Sequence, residues 1–417
     1  MTDTASANRR YLTLDVVRGV AVMGILLANI PAFALPGAAY FSPMAWGGHT
    51  GGDLVAWFST FVFVEGKMRG LFSFLFGASM LLIIERAATS GKSPARVHFS
   101  RMAVLFLFGV AHGYLIWWGD ILSHYALVGA IAFMFVRMRT EQLLAAAITA
   151  LVLTAVWSGL GFATLLESAA RNTVNAVDTW TQFSKAFGTP PAEIIAKEIS
   201  AMRGPWLTEV AFRWEHVDNP FVGLKIYGIE TMAAVLFGMW GYRSGFVTGS
   251  WDRARYRRIA LVCLAIAWSA YLLMSLATMS HGFDQRWVFF GSIVGTIPFR
   301  ILGTIGYAAL IILALKPGGW LTERLAAVGR AAFSNYLGTS ILVSMIFYGW
   351  GFGQFARWDR AAIYIVPPIV WTIMLLWSKP WLERFRYGPF EWAWRSLARM
   401  KLQPMRKPLP ATAPAEA

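Results

Sequence analysis

The stretch RYLTLDVVRGVAVMGILLANI, from Arg10 to Ile30, joins a basic start to an apolar run long enough to cross a bilayer. Three polar side chains interrupt this run: Asp15, Arg18 and Asn29. At about 100° per residue they fall on one stripe of an α-helix, with Arg18 and Asn29 roughly 16 Å apart along its axis. Because charged and amide groups are costly against hydrocarbon, we expect this stripe to face the protein or a hydrated cavity. A simple Asp15–Arg18 pair at the headgroup level accounts for those two residues equally well.

The composition of the whole chain indicates a polytopic membrane protein. Of its 417 residues, 57% are hydrophobic and only 14% are charged, and apolar runs of about twenty residues recur. The net charge of +15 comes from basic residues in short loops between these runs, which indicates cytoplasmic loops beside anionic lipid and no nucleic-acid partner. The single cysteine, Cys263, excludes a disulfide framework and a thiolate metal site.

The pattern predicts an all-α polytopic integral membrane protein with about ten transmembrane helices and both termini cytoplasmic. Residues 1–11 are predicted to be a short cytoplasmic tail and residues 12–378 the transmembrane domain. Residues 167–222 form an extracytoplasmic loop within it. Residues 379–417 form a basic cytoplasmic tail with a disordered Pro/Ala-rich end. The expected location is the bacterial cytoplasmic (inner) membrane.

One apolar stretch, from Asp53 to Arg86, is too long for a single simple span. More than thirty residues at 1.5 Å rise exceed the ~30 Å hydrocarbon core. We expect a break at Glu65-Gly66-Lys67, with a re-entrant or interfacial piece before it.

A second helix repeats the spacing of the first. Arg101 and His112 are eleven residues apart, as are Arg18 and Asn29. If both helices run outward from the cytoplasm, Asn29 and His112 lie at similar depth. Histidine can take and return a proton near neutral pH, so His112 is a candidate general base. A neutral histidine bonded to a backbone carbonyl is the alternative.

Polar residues also collect at the predicted outer ends of the helices. They are His49, Asp53, Glu65, Lys67, Arg69, Asp120 and His124. We expect them to form one outward-facing polar pocket, although hydrated helix ends account for any single member. Deeper in the predicted spans, Glu230 and Arg300 are charges for which a partner is expected. We expect Glu230 to pair with Arg300 or Lys225, in a functional or a purely structural ion pair.

Several segments resemble the YeiB-type family of bacterial membrane proteins. The opening pattern is RxxxLDxxRGxAxxGIxxxN, carried by Arg10, Leu14, Asp15, Arg18, Gly19, Ala21, Gly24, Ile25 and Asn29. The other segments are LFSFLFGASM from Leu71, WGDILSHYALVG from Trp118, GRAAFSNYL from Gly329 and GPFEWAWR from Gly388. These matches are spread over nearly the whole chain.

The opening pattern is also similar to a wider superfamily of transmembrane acyltransferases, including the lysosomal heparan glucosaminide acetyltransferase and bacterial enzymes that O-acylate surface glycans. This resemblance implies about ten helices, acyl-CoA used on the cytoplasmic side and an acyl group delivered to an extracytoplasmic glycan. The glycan-acylating enzymes carry a catalytic histidine where this chain has Asn29. The lysosomal enzyme has asparagine there and a reactive histidine before a Trp-x-Gly, where this chain has Pro43, and His49 falls beyond Trp46.

The leading hypothesis is therefore a membrane-bound acyltransferase with no bound cofactor or metal, acyl-CoA as co-substrate, and a glycan or lipid-linked acceptor. The candidate catalytic residues are His112, Asn29, Asp120 and His124. The candidate acyl-CoA-binding residues are Arg18, Arg101 and Asp15. The candidate acceptor-binding residues are His49, Glu65, Arg69, Glu230 and Arg300. The alternatives are a transporter or flippase of a small metabolite or lipid precursor, and a non-catalytic subunit of an envelope complex.

Overall fold

The computed structural model describes the backbone of residues 2–407 and the side chains of residues 12–407, and it is built from α-helices. In chain order they are α1 (Thr2–Ala34), α2 (Gly51–Phe63), α3 (Lys67–Thr89), α4 (Pro94–Leu115), α5 (Leu122–Ala132), α6 (Thr140–Ala170), α7 (Val174–Phe187), α8 (Ala192–Met202), α9 (Trp206–His216), α10 (Pro220–Arg243), α11 (Arg253–Ser280), α12 (Gln285–Phe289), α13 (Ile297–Ala314), α14 (Trp320–Arg330), α15 (Ala332–Phe347), α16 (Arg360–Ile363), α17 (Val366–Arg384) and α18 (Pro389–Ala398). A 3₁₀ turn (Gly37–Tyr40) follows α1.

Seven helical stretches of the described chain are long and apolar enough to cross a membrane. They are Leu12–Ala34, Gly51–Thr89, Thr140–Ala170, Pro220–Arg243, Arg253–Ser280, Ile297–Ala314 and Arg360–Arg384. The other three predicted spans correspond to α4, α5 and α15, of which α5 and α15 are shorter apolar helices. The all-helical architecture and its apolar character therefore match the prediction, while the count of ten and the orientation of the termini stay predictions.

The N-terminal helix α1 lies at the centre of the packing, against α3, α14 and α15. Helices α1 and α14 cross closely because Gly19 of α1 lies against the backbone of α14 and Gly329 of α14 lies against the backbone of α1. A Cβ atom on Gly329 would lie 1.8 Å from the Asp15 carbonyl oxygen, and one on Gly19 would lie 2.1 Å from the Leu325 carbonyl oxygen. This approach brings Arg18 to the Gly329 carbonyl, 3.3 Å from its Nη1.

The predicted break in the 53–86 stretch is confirmed. Helix α2 ends at Phe63 and α3 begins at Lys67, and Gly66 between them has φ +71°. That left-handed conformation favours glycine, which explains why the chain turns here. Glu65 consequently lies in the turn between the two helices, whereas Arg69 lies in the first turn of α3.

Residues 167–222 contain three helices, α7 to α9, and α9 closes one end of α4. Arg213 donates to the carbonyls of Tyr114 (3.0 Å) and Leu115 (3.2 Å), and Trp206 Nε1 donates to Leu115 (2.8 Å). The last carbonyls of a helix need such partners. Arg213 is itself buried and paired with Glu209. Helices α7–α9 thus cover what we call the loop end of the bundle.

The opposite end gathers basic residues and is called the basic end. The charges of Arg18, Arg86 and Arg330 act together on Asp15, and Arg101 lies near Arg395 of α18. Both predicted cytoplasmic tails contain helical residues, and their location in the cytoplasm stays a prediction. Residues 2–11 continue α1 as helix, and residues 379–384 belong to α17. The predicted disordered piece at 408–417 lies outside the described residues.

The pH should control how firmly α8 is held. Glu198 accepts a hydrogen bond from the Gly37 backbone N–H (2.9 Å), and burial raises the pKa of this carboxyl to about 7. At a pH between the ordinary carboxyl pKa and 7, Glu198 holds a proton while α8 is docked and loses it when α8 opens. The docking of α8 therefore weakens as the pH rises through 7. We expect normalised hydrogen exchange of residues 192–202 to be roughly tenfold faster at pH 8 than at pH 6.

Two variants check this assignment. Glu198→Gln should remove most of the pH dependence, whereas Glu193→Gln, at an exposed position on the same helix, should keep it. An unchanged dependence in Glu198→Gln would contradict the assignment.

Candidate functional site

His112 and Asp120 form a buried pair where α4 turns toward α5. His112 Nδ1 lies 2.9 Å from Asp120 Oδ1, and their side chains are 1% and 5% exposed. Asp120 also accepts from the backbone N–H groups of Leu122 (3.1 Å) and Ser123 (2.9 Å) and from the Ser123 hydroxyl (2.8 Å). The carboxylate is therefore fixed at the start of α5, and it fixes the imidazole.

This arrangement determines which histidine nitrogen carries the proton. An ionised carboxylate can only accept hydrogen bonds, so we assign the proton to Nδ1 of His112, which leaves the lone pair on Nε2. Nε2 is buried and has no hydrogen-bond partner among residues 12–407. Buried polar atoms without partners are rare in native proteins and call for an explanation. Chemically, this nitrogen is available to take a proton.

Asn29 lies one helical turn before Phe33, and Phe33 is connected to the His112 site through the Trp117 ring. Phe33, one turn after Asn29, stacks on Trp117 with 3.8 Å between ring centroids, and the Trp117 ring lies 6.2 Å from the His112 ring. Trp117 Nε1 also donates to the Ala32 carbonyl (3.4 Å). The Asn29 amide makes no hydrogen bond to the described residues, His112 included.

Glu230 is the centre of a second polar cluster. Its Oε1 accepts from Arg300 Nη1 (2.7 Å) and Arg69 Nη2 (3.0 Å), which confirms the expected pairing with Arg300; Lys225 is exposed. Arg300 also donates to the Ser292 and Ile293 carbonyls, which the π-helical turn at 290–294 presents to it. The cluster lines a cavity of about 30 Å³, enough for one or two waters.

The residues expected to form one outward-facing pocket have different partners, and their use as a single pocket stays a prediction. Asp120 binds His112, His124 binds Thr231 (2.8 Å), Glu65 accepts from Tyr40 (3.2 Å), Asp53 accepts from the Ala361 N–H (2.8 Å), Lys67 lies over the Tyr271 ring (3.0 Å), Arg69 binds Glu230 and His49 is exposed. Arg69 nevertheless lies close enough to Glu65 and His124 for their charges to act on one another.

The predicted acyl-CoA residues lie at the basic end, largely engaged with the protein. Arg18 pairs with Asp15 (3.0 Å) and donates to the Ser79 hydroxyl (2.9 Å), so the expected ion pair is present. Arg101 stacks on Trp394 of α18 at 4.1 Å, and Trp394 Nε1 donates to the Arg101 carbonyl (2.9 Å). Helix α18 therefore packs on the basic end beside Arg101. Its GPFEWAWR segment, which resembles the YeiB-type family, is the feature of the sequence that points to this helix.

Two of the segments that resemble the YeiB-type family, GRAAFSNYL and GPFEWAWR, contact each other through Glu391. Glu391 of α18 accepts from the backbone N–H groups of Phe333 (2.6 Å) and Ser334 (3.1 Å) and from the Ser334 hydroxyl (2.5 Å). These N–H groups open α15, where they lack intrahelical partners. GRAAFSNYL and GPFEWAWR are thus two halves of one helix cap.

Glu391→Ala should destabilise the protein by about 3 kcal/mol, because it removes this cap and leaves buried donors unpaired. Thermal unfolding of the purified protein measures the change. Glu383→Ala, at an exposed position of α17, is the matched control. Equal midpoints for the two variants would contradict the role of Glu391.

Comparisons with known proteins agree with these motifs. A family model described as "Protein of unknown function (DUF418)" matches residues 241–401. The uncharacterized protein YeiB of Escherichia coli (strain K12) is 33% identical over 404 residues, covering 93% of this chain and 96% of YeiB. The uncharacterized protein YxaH of Bacillus subtilis (strain 168) is 29% identical over 412 residues, covering 96% of this chain and 97% of YxaH. Since this similarity extends over nearly the full length of each protein, the chain belongs to the YeiB-type family.

Proposed function

We propose that this protein is a membrane-bound acyltransferase that uses acyl-CoA at the basic end and acylates an acceptor at the loop end. The observation that carries the proposal is His112, with Nδ1 held by Asp120 at 2.9 Å and Nε2 without a hydrogen-bond partner among residues 12–407. A base oriented by a carboxylate is the arrangement that activates a hydroxyl nucleophile. No sequence signature of another catalytic class competes with it.

In the proposed reaction, His112 Nε2 removes the proton of an acceptor hydroxyl as its oxygen attacks the thioester carbonyl. The carbon–sulfur bond breaks, the thiolate of CoA takes the proton from His112, and the acyl group stays on the acceptor. The Asn29 amide, which makes no hydrogen bond within the described part of the chain, supplies a donor for the developing negative charge on the carbonyl oxygen. Asp120 stabilises the imidazolium that forms meanwhile.

The donor would bind from the basic end. Arg101, Arg395 and Arg18 supply positive charge for the phosphates, and Arg101 is already held against Trp394. Arg101 lies eleven residues before His112 on α4, roughly 16 Å along the axis. An extended pantetheine arm covers a distance of this order, so the phosphates and the thioester can occupy these two places at once.

Purified protein in lipid vesicles tests the proposal. Labelled acetyl-CoA is the donor and an extract of bacterial envelope glycans is the acceptor. Release of free CoA together with label in the glycan fraction supports acyl transfer. Absence of both, with the protein folded and acetyl-, propionyl- and butyryl-CoA all tried, contradicts it.

A transporter is the second candidate, because Glu230, Arg69 and Arg300 place three charges around an intramembrane cavity. Such charges mark substrate or proton paths. Uptake of a solute into vesicles without CoA release, lost in Glu230→Gln, would favour this function.

For either function we propose ten spans, with the basic end and both termini in the cytoplasm of a bacterial inner membrane. The excess of arginine and lysine at that end supports the orientation.

A further inference from the structure

Arg360 is a buried arginine that forms no ion pair with any described residue. Its residue is 1% exposed, and its Nη2 donates to the carbonyls of Ala39 (2.6 Å) and Trp46 (3.4 Å). Within residues 12–407 no carboxylate forms an ion pair with it, and its buried Nε has no hydrogen-bond partner. Arginine stays charged in proteins, and a buried charge is normally paired. The two carbonyls satisfy donors, and the nearby charge of Asp53, which accepts from the Ala361 N–H (2.8 Å), acts on Arg360 without a hydrogen bond between the two side chains.

A cavity of about 20 Å³ lies beside this side chain. Tyr364 also lines it and accepts a hydrogen bond from the Thr60 hydroxyl (2.7 Å), so its own O–H remains free to donate. Arg360 and Tyr364 thus put two donors on one wall. The volume suits one or two atoms of water size, such as the oxygens of an anionic group, and excludes a whole sugar ring.

The same cavity contains a negative charge at some distance from Arg360. Glu65 lines it and accepts from the Tyr40 hydroxyl (3.2 Å). A carboxylate in this position disfavours a dianion such as a phosphate monoester, because like charges repel strongly at low dielectric. It tolerates a monoanion held by Arg360 and can accept a hydrogen bond from a neighbouring hydroxyl. The lining therefore fits a carboxylate better than a phosphate.

Helix α1 contacts both the cavity and the surroundings of His112. Ala28 and Pro31 of α1 line the cavity, while Ala32 and Phe33 of the same turns contact Trp117, whose ring lies 6.2 Å from the His112 ring. The cavity and the His112 site therefore share one stretch of α1. The exposed Trp46, whose carbonyl binds Arg360, offers an aromatic surface at the loop end.

We propose that the Arg360 cavity binds the carboxylate of the acceptor, which makes the acceptor class an acidic sugar. The inference deepens the proposed function and rests on it only for the role of the ligand as acceptor. The carboxylate accepts from the Arg360 guanidinium and Tyr364, and the ring stays outside the cavity with a hydroxyl toward Glu65.

Thermal unfolding of the full-length protein in detergent tests the site with defined probes. These are sodium glucuronate, glucose, glucose 6-phosphate and sodium acetate at matched ionic strength. We expect glucuronate to raise the unfolding midpoint, with smaller shifts for glucose 6-phosphate and acetate and none for glucose. No shift with glucuronate, or shifts as large with acetate or glucose 6-phosphate, would overturn the proposal.

Variants locate the binding. Arg360→Gln should weaken glucuronate binding roughly 10- to 100-fold, the range for one hydrogen bond to a charged group. Arg357→Gln, at an exposed position three residues earlier, should leave it unchanged. If Arg360→Gln does not fold, Glu65→Gln serves instead, because removing this charge should reduce the preference for glucuronate over glucose 6-phosphate. An undiminished preference in Glu65→Gln would overturn the assignment.

The binding assay needs no catalysis, so the two proposals fail separately. Glucuronate binding without acetyl transfer contradicts the acyltransferase and leaves the carboxylate site intact. Acetyl transfer without glucuronate binding contradicts the carboxylate site and leaves the acyltransferase proposal intact.

Discussion

His112→Ala is expected to lower acetyl transfer roughly 100-fold or more, the usual loss when a general base is removed. The reason is geometric: Nε2 is the one imidazole nitrogen with a free lone pair, and Asp120 keeps it so. The rate of label transfer from acetyl-CoA in vesicles is the measurement. The fold should survive, because the substitution leaves Asp120 still bound to Leu122 and Ser123.

The control is His281→Ala, at an exposed position after α11. It should transfer at the wild-type rate. A His112→Ala protein that is folded and keeps its full rate would mean that the imidazole has only a structural role.

Gly329→Ala is expected to have the largest effect on folding. Its new Cβ would lie 1.8 Å from the Asp15 carbonyl oxygen and 2.8 Å from the Gly19 nitrogen. Both are backbone atoms, so no side chain can move aside, and α1 and α14 must separate. The loss should exceed the roughly 1–3 kcal/mol of ordinary overpacking. Yield of monodisperse protein and its unfolding midpoint report it.

Gly338→Ala is a matched control on the next helix, because nothing lies within 4 Å of its Cβ position. It should be neutral or stabilise α15, since alanine is the better helix former. Similar midpoints for Gly329→Ala and Gly338→Ala would contradict the close crossing.

Much of the architecture could be predicted from local pattern. The polar stripe of α1, the break at Gly66 and the Glu230–Arg300 pair follow from periodicity, span length and the cost of unpaired charge in lipid. Such rules act within one helix or between two obvious charges.

The partner of His112 could not be predicted in this way. Asp120 is only eight residues away, but the contact depends on how the Trp117–Gly119 turn folds and on α5 beginning where Asp120 can bind its first N–H groups. Arg360 was missed for a similar reason. A lone arginine at the start of an apolar helix is typical of a membrane interface, and only the three-dimensional packing reveals its burial.

The most direct measurement of the central claim compares Asp120→Asn with wild type in both acetyl-transfer rate and unfolding midpoint. Asparagine keeps the shape of the side chain, but its amide nitrogen replaces one of the two oxygens that accept from Leu122 and Ser123, and it can no longer stabilise the imidazolium. The account predicts a lower midpoint from the weakened cap and, per folded protein, a rate loss of roughly 100-fold or more. An unchanged rate, or a rate that falls only in proportion to lost folded protein, would contradict a catalytic His112–Asp120 pair.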